Sequence, residues 1–464
     1  VAADNFGGPL LPCGLVADAC VKGPTSVTRY AVIGAGFAGL AIARDLVRAG
    51  QSVTVFEADA HVGGLAGSFD PDPAVGGEPI DRFYHHWFTS DIEIMDLVAE
   101  LGLSESVSEE PTLTGVHYAN RVLRLSTPLD LLRFPALSLP NRLRLGLLAL
   151  RARRVTDWRG LEGLTAAEWL VSQGGEVVYR AIWEPLLRGK FGSLADEVSA
   201  VWIWNKLKLR GGSRGKGGEE RLAYVRGSFA RVADAMAAEI RNHGGRIETR
   251  SAIREISPNQ GGGWKVAGPW GAAEADTVIA TTAPSLLAGM ISDWADPALV
   301  DRLLSIAYLA NICLVLELDR ALGETYWLNV TDPSFPFVGI IEHTNFRDPA
   351  EYGGRHVVYL SRYLPQDDPL LAQDDRGVLD FALPHLQRMF PQFDPASILR
   401  FHVWRAMWAQ PVVRRNYASL VPSEDVGPPG LHLCSMAQIY PEDRGTNHAV
   451  KAGRQLARRL LSES

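Results

Sequence analysis

Cysteine is scarce in this sequence: Cys13, Cys20, Cys313 and Cys434 are the only four in 464 residues. So few thiols exclude a disulfide-stapled scaffold, and no spacing among them fits a zinc or redox motif, so no metal site is expected. Cys313 and Cys434 fall in strand-like runs, "NICLVLEL" and "GLHLCSM", where a buried thiol is the expectation. Positive charge is also short. A net charge of −7 argues against nucleic acid as a partner. No hydrophobic run reaches membrane-span length, and the start lacks the basic stretch and apolar core of a signal peptide. A reduced, cytoplasmic setting is expected. Residues 1–27, rich in glycine and proline, read as a flexible extension.

What is present is an ordinary globular composition, 47% hydrophobic and 21% charged, long enough for two or three domains. Its most specific stretch is "RYAVIGAGFAGLAIARDLVRAGQSVTVFEA". A short apolar strand runs into Gly34, Gly36 and Gly39, then a helix, a glycine stop, a second strand and an acid, Glu57. Gly34 allows a tight turn, Gly36 a close approach of the backbone to a pyrophosphate, and Gly39 tight packing of helix on strand. The helix N-terminus at Phe37 and Ala38 offers free N–H groups to the phosphates. Glu57 stands where a carboxylate accepts the hydroxyls of a ribose. This is a dinucleotide-binding unit of the Rossmann type.

The acid is followed by "ADAHVGGLAGSF", in which Gly63 and Gly64 again bring backbone N–H groups close together. Here the chain resembles the flavoproteins that include flavin amine oxidases, protoporphyrinogen oxidase, phytoene desaturases and UDP-galactopyranose mutase. Their pattern is an acid followed by R-x-G-G; this chain has His61 where the arginine is usual. The resemblance implies noncovalent FAD and a fold of class α/β, with an FAD-binding domain built from three segments and an inserted α+β substrate domain. The boundaries expected on that basis are 28–95, 216–290 and 416–464 for FAD, and 96–215 and 291–415 for the substrate. The implied cofactor contacts add Ala58, Leu65, Ile253, Thr281, Asp443, Thr446, Asn447 and Ala449 to the glycines, Phe37, Ala38 and Glu57. Glycine at 445, where amine oxidases place a caging aromatic residue, leaves the substrate open.

The substrate segments differ in character. Residues 96–215 read as mainly helical, with a hairpin at "GVHYANRVLRLS" and a capping box of Thr165 and Glu168. Residues 291–415 read as strands. "LLRFPALSLPNRLRLGLLALRARR" reads as an amphipathic helix of the substrate domain, and its mix of leucine and arginine also suits peripheral contact with a membrane surface. The basic run with Lys206, Lys208, Arg210, Arg214, Lys216 and Arg221 reads as a solvated loop or a phosphate-binding one.

"DRFYHHWFTSD", Asp81 to Asp91, places two histidines among aromatics where the chain leaves the nucleotide unit. It is similar to a mutase segment, a match that makes His85 the flavin-side histidine. A histidine beside a flavin can move a proton as hydride is transferred. His85 and His86 are therefore the catalytic candidates, with Tyr440 as a wall of the site; the alternative is that both histidines are structural. The expected activity is FAD-dependent removal of hydride from a small molecule, such as a sugar, an isoprenoid-linked compound or a secondary metabolite. The alternatives are a redox-neutral mutase acting on a nucleotide sugar, and a non-catalytic binding protein.

Overall fold

The apolar run before the glycine motif is a strand, Arg29–Ile33, with Val32 fully buried. The structure, a computed structural model, describes residues 27–70, 76–125, 127–212 and 220–463. The expected extension, apart from Val27, and Arg214 and Lys216 of the basic run lie outside the described residues.

Five parallel strands form the first sheet, in the order Arg246–Glu248, Ser52–Phe56, Arg29–Ile33, Thr277–Ala280, Leu431–Leu433. Strands from the beginning, middle and end of the chain are thus neighbours. Phe37–Arg48 crosses over from the first strand to the second, as parallel pairing requires. A small antiparallel sheet, Glu255–Pro258, Trp264–Gly268 and Gly271–Ala275, extends from the middle segment.

A second, seven-stranded mixed sheet is built around Tyr308–Leu318, which is buried along its whole length. A strand covered on both faces loses the polar alternation of a half-exposed one, and "YLANICLVLEL" reads accordingly. The hairpin of Thr114–Tyr118 and Arg121–Arg124 forms as expected. It then joins this sheet by parallel pairing to Trp327–Val330, so the two substrate segments share one sheet instead of dividing into a helical and a stranded part. Apart from the strand Val107–Thr112, which pairs with Glu220–Val225, the rest of the first segment is mainly helical. Thr165 Oγ1 accepts from the Glu168 N–H at 3.2 Å, and Glu168 Oε2 accepts from the Thr165 N–H at 2.8 Å, closing the capping box. Leu139–Arg154 buries Leu145, Leu148 and Ala152 but leaves Leu139, Leu143, Leu147 and Leu150 exposed. No helix among the described residues is long and apolar enough to cross a membrane.

Candidate functional site

The first strand ends in a turn that only glycine adopts without strain: Gly34 has φ +104°. Thr281, at the end of the neighbouring strand, braces this turn by donating its hydroxyl to the carbonyls of Ile33 (2.9 Å) and Gly34 (3.2 Å). At Gly39 a Cβ would stand 2.0 Å from the Gly34 carbonyl oxygen, so the helix packs this closely only because position 39 has no side chain. At Gly36, by contrast, a Cβ would meet no atom within 4 Å. That open space lies at the start of a helix with no side-chain cap and no acid in its first turn, which leaves its N–H groups and partial positive charge for an anion. Phe37 is buried against Phe229.

Glu57 closes the other side. Its Oε2 accepts from the Ala35 N–H at 2.6 Å and its Oε1 from the Asp59 N–H at 2.8 Å. Each carboxylate oxygen keeps a lone pair for a ribose hydroxyl. Ala58 is exposed beside it, and Ile253 is buried in the core beneath. The second glycine pair meets the first: Gly63 bridges to Gly36, the Gly63 N–H donates to the Ala35 carbonyl at 2.8 Å, and Gly64 is exposed next to half-buried Leu65. The residues therefore fit a dinucleotide, with an open cradle for the pyrophosphate and a carboxylate at ribose distance from it in the chain. Glu57→Ala is expected to weaken FAD binding about tenfold or more, the scale of one charge-assisted bond at roughly 1.5–3 kcal/mol. Titration of apoprotein with FAD checks it, and an unchanged Kd removes Glu57 from the adenosine site.

His61, in the place usually held by arginine, is exposed. The cation that does reach this loop is Arg82. It pairs with Asp59 at 2.5 Å, donates to the Ser68 carbonyl at 3.3 Å, and lies 4.7 Å from the Trp404 ring centroid. The sequence reading missed it because Arg82 lies well beyond the glycine pair and is returned to it by the short antiparallel pairing of Ser68–Phe69 with Ile80–Asp81.

That pairing also delivers the histidine segment, and Asp81 anchors it. The buried Asp81 carboxylate accepts from Tyr224 Oη at 2.6 Å, the Phe229 N–H at 3.0 Å and Ser68 Oγ at 3.2 Å. Tyr359 Oη donates to its main-chain oxygen at 2.9 Å. Burial pushes the carboxyl up to about 7, against the pull of those three donors.

The two histidines then diverge. His86 Nδ1 lies 3.0 Å from Tyr326 Oη, and its ring packs edge-on against Phe88 and Trp327. His85 Nδ1 lies 2.7 Å from the Phe83 carbonyl. A carbonyl only accepts, so Nδ1 carries the proton and Nε2 the lone pair. Burial, together with the charge of Arg444, brings the imidazole down to about 4, although the bond to Phe83 opposes this. At neutral pH His85 is therefore an uncharged base that can take a proton at Nε2.

The C-terminal segment completes the site. Thr446 opens the last helix, and its Oγ1 accepts from Trp87 Nε1 at 2.8 Å; Asn447 Oδ1 accepts from the Ile94 N–H at 3.1 Å. Thr446 clamps the histidine segment to the helix start and Asn447 clamps the helix Ile92–Glu100 that follows it, leaving backbone N–H groups there for a ligand. The Ala449 N–H makes the helix's first bond, to the Gly445 carbonyl at 2.9 Å. Asp443 is buried, accepts from Trp202 Nε1 at 3.1 Å and is paired with Lys206. The surrounding cations hold it below the usual carboxylate range, against its burial. Tyr440 belongs to the helical layer: its hydroxyl donates to Glu162, and its ring packs on Trp158 and Tyr417. No metal-binding cluster exists among the described residues.

Comparison with known proteins agrees with this fold. The chain is 27% identical over 288 residues to a Mycobacterium tuberculosis protein named as a flavin-containing monoamine oxidase, covering 57% of this chain and 59% of that one. It thus spans about three fifths of the length of this relative and of a Synechococcus elongatus zeta-carotene desaturase to which it is also 27% identical. Among solved structures, one described as a protoporphyrinogen oxidase of Exiguobacterium sp. 255-15 superimposes with a TM-score of 0.75 at 16% identity, covering 95% of this chain and 100% of that one. A reduced UDP-galactopyranose mutase superimposes with a TM-score of 0.71 at 15% identity, covering 94% and 96%. The family model for flavin containing amine oxidoreductase matches residues 37–461, and the chain belongs to that family.

Proposed function

We propose that this protein is an FAD-dependent oxidoreductase that removes hydride from a C–H bond of a small molecule, with His85 Nε2 taking the accompanying proton. FAD, when bound, supplies the two-electron acceptor, and oxygen or another acceptor would then reoxidise it. Gly34, Gly36, Gly39, Gly63 and Gly64 would hold its pyrophosphate, Glu57 its ribose, and the start of the last helix its oxygen-rich ring edge. The protein's own part is to orient the substrate, exclude water with the aromatic rings around His85, and present an uncharged imidazole. The observation that carries this reading is the fixed tautomer of His85, set by the Phe83 carbonyl at 2.7 Å in a segment clamped to the last helix by Trp87 and Thr446.

The cofactor is expected to be noncovalent. The described thiols are buried, with Cys434 pushed up to about 12 and Cys313 raised further still, so neither is a nucleophile. Acid precipitation of the yellow protein should leave the colour in solution; colour in the pellet would show a covalent link. Anaerobic bleaching of the flavin by members of a panel of amines, alcohols and polyenes tests the oxidoreductase reading itself. The likeness to the mutase fold favours one alternative, redox-neutral chemistry on a nucleotide sugar. That alternative requires turnover only after prereduction of the flavin, with no net electron transfer.

A further inference from the structure

We propose that Lys190 and Arg444 form an anion-accepting end of the substrate site, which takes a carboxylate or phosphate group of the substrate. The proposal rests on the oxidoreductase reading for its location and adds the substrate's charge. Five chain segments converge there: Lys190 from Glu184–Phe191, Trp202 and Lys206 from Ala200–Gly212, Tyr363 from His356–Leu364, Gln410 from Ile398–Pro411, and Arg444 from the loop before the last helix.

Lys190 Nζ lies 5.0 Å from the ring centroids of Trp202 and Tyr363 and 5.6 Å from that of Phe191. Among the described residues it has no hydrogen bond and no carboxylate within 4.0 Å. Arg444 donates from Nη2 to Tyr363 Oη at 2.7 Å and from Nε to Gln410 Oε1 at 2.9 Å, both neutral acceptors. The two cations therefore hold the same tyrosine, one on its ring and one on its hydroxyl. Asp443 is the carboxylate that lowers the energy of this cluster, and it is already engaged by Lys206 and Trp202. Asp91, which also feels Lys206, accepts instead from the Phe88 N–H at 3.0 Å.

Lys190 and Arg444 are half-buried, whereas the fully buried arginines among the described residues are compensated. Arg44 meets Glu239 at 2.6 Å and Glu100 at 2.7 Å, and Arg355 pairs with Glu317. A desolvated cation without a paired carboxylate is costly to maintain. Burial, Lys206 and Arg444 together depress Lys190 well below the ordinary lysine value, against the pull of Asp443. An entering anion would offset that cost and favour the ammonium, whereas a cationic amine would meet like charge. Tyr84, the residue before His85, donates to Ser361 Oγ at 3.3 Å, two residues along the strand from the Tyr363 that Arg444 holds, which brings the cluster to the histidine segment. An anionic group held here would therefore fix the substrate next to the base.

Four probes of one shape separate the possibilities: benzoate, phenyl phosphate, benzamide and benzylamine, titrated calorimetrically into the oxidised holoenzyme. At least one anion should bind tenfold or more tightly than benzamide, with benzylamine weakest; the tighter of the two anions identifies carboxylate or phosphate as the group preferred. In Lys190→Met and in Arg444→Gln the advantage of that anion over benzamide should shrink to threefold or less, with FAD content and melting temperature retained. Where one variant fails to fold, the other decides. Benzylamine binding as well as the anions, no heat with either anion, or an anion preference that survives substitution would each overturn the proposal. Absence of FAD from the purified protein would instead remove the oxidoreductase reading, while the calorimetric ranking would still decide the anion site.

Discussion

His85→Gln is expected to keep its FAD and its melting temperature and to lose about 10²–10⁴-fold in the rate at which substrate bleaches the flavin, the usual range for a lost acid–base group. Glutamine can still donate to the Phe83 carbonyl, so the segment stays in place while the lone pair of Nε2 is lost. Because the imidazole is brought down to about 4, the wild-type rate should be flat through neutral pH and fall only as pH drops through that value. His86→Gln is the control. Its bond to Tyr326 and its packing on Trp327 are structural, so it should lower stability more than rate. Stopped-flow reduction of both variants, with FAD occupancy measured on the same samples, separates the roles. Equal rates for His85→Gln and wild type would make the segment a structural loop.

Asp81 carries the largest expected effect on stability. Asp81→Ala leaves Tyr224 Oη and the Phe229 N–H without their acceptor in a buried site, while Ser68 Oγ keeps Ser228 Oγ at 2.6 Å. The expected loss is about 3–5 kcal/mol, the range for breaking a buried charged or hydrogen-bonded network. Asp81→Asn keeps the shape and one acceptor and should be milder, and it removes a titration. The wild-type carboxyl is raised to about 7 when folded, above an unfolded value of about 3.9. The folded state therefore binds this proton more tightly. The associated stability is fully present below about pH 4 and is lost as pH rises through about 7. Between pH 5 and pH 8 the wild type should lose roughly 2–3 kcal/mol relative to Asp81→Asn. Urea unfolding of both proteins at the two pH values measures the difference. A gap independent of pH would mean that Asp81 keeps one protonation state throughout.

What could be read in the sequence follows how locally each demand is set. Gly34 and Gly39 are legible because a positive φ and a backbone contact within one turn leave glycine as the residue that fits. The capping box at Thr165 and the continuous apolar strand at Tyr308–Leu318 are local in the same sense. Asp81, Arg82 and Lys190 are not legible, since each acquires its role from partners brought together only by the fold: Phe229 and Tyr359 for Asp81, Trp404 for Arg82, Tyr363 and Trp202 for Lys190. Lys206 reads as part of a solvated or phosphate-binding run, yet it is paired with a buried aspartate. The hairpin at 114–124 was visible as a hairpin, but its parallel seam with Trp327–Val330 is a long-range pairing that no local pattern encodes.

The strand order of the first sheet also bears on how the protein is made. Arg29–Ile33, at the start of the chain, is flanked by Ser52–Phe56 and by Thr277–Ala280, and the sheet closes only with Leu431–Leu433. Synthesis runs from Arg29–Ile33 toward the other strands. The glycine loop and Ser52–Phe56 emerge long before the second neighbouring strand, Thr277–Ala280, and the helix Thr446–Glu463. Pairings this distant in sequence form slowly and leave apolar strand edges exposed in the meantime. The nucleotide unit is therefore vulnerable to any shortening that removes the helix Thr446–Glu463, and the cofactor can be captured in full only once that helix has emerged.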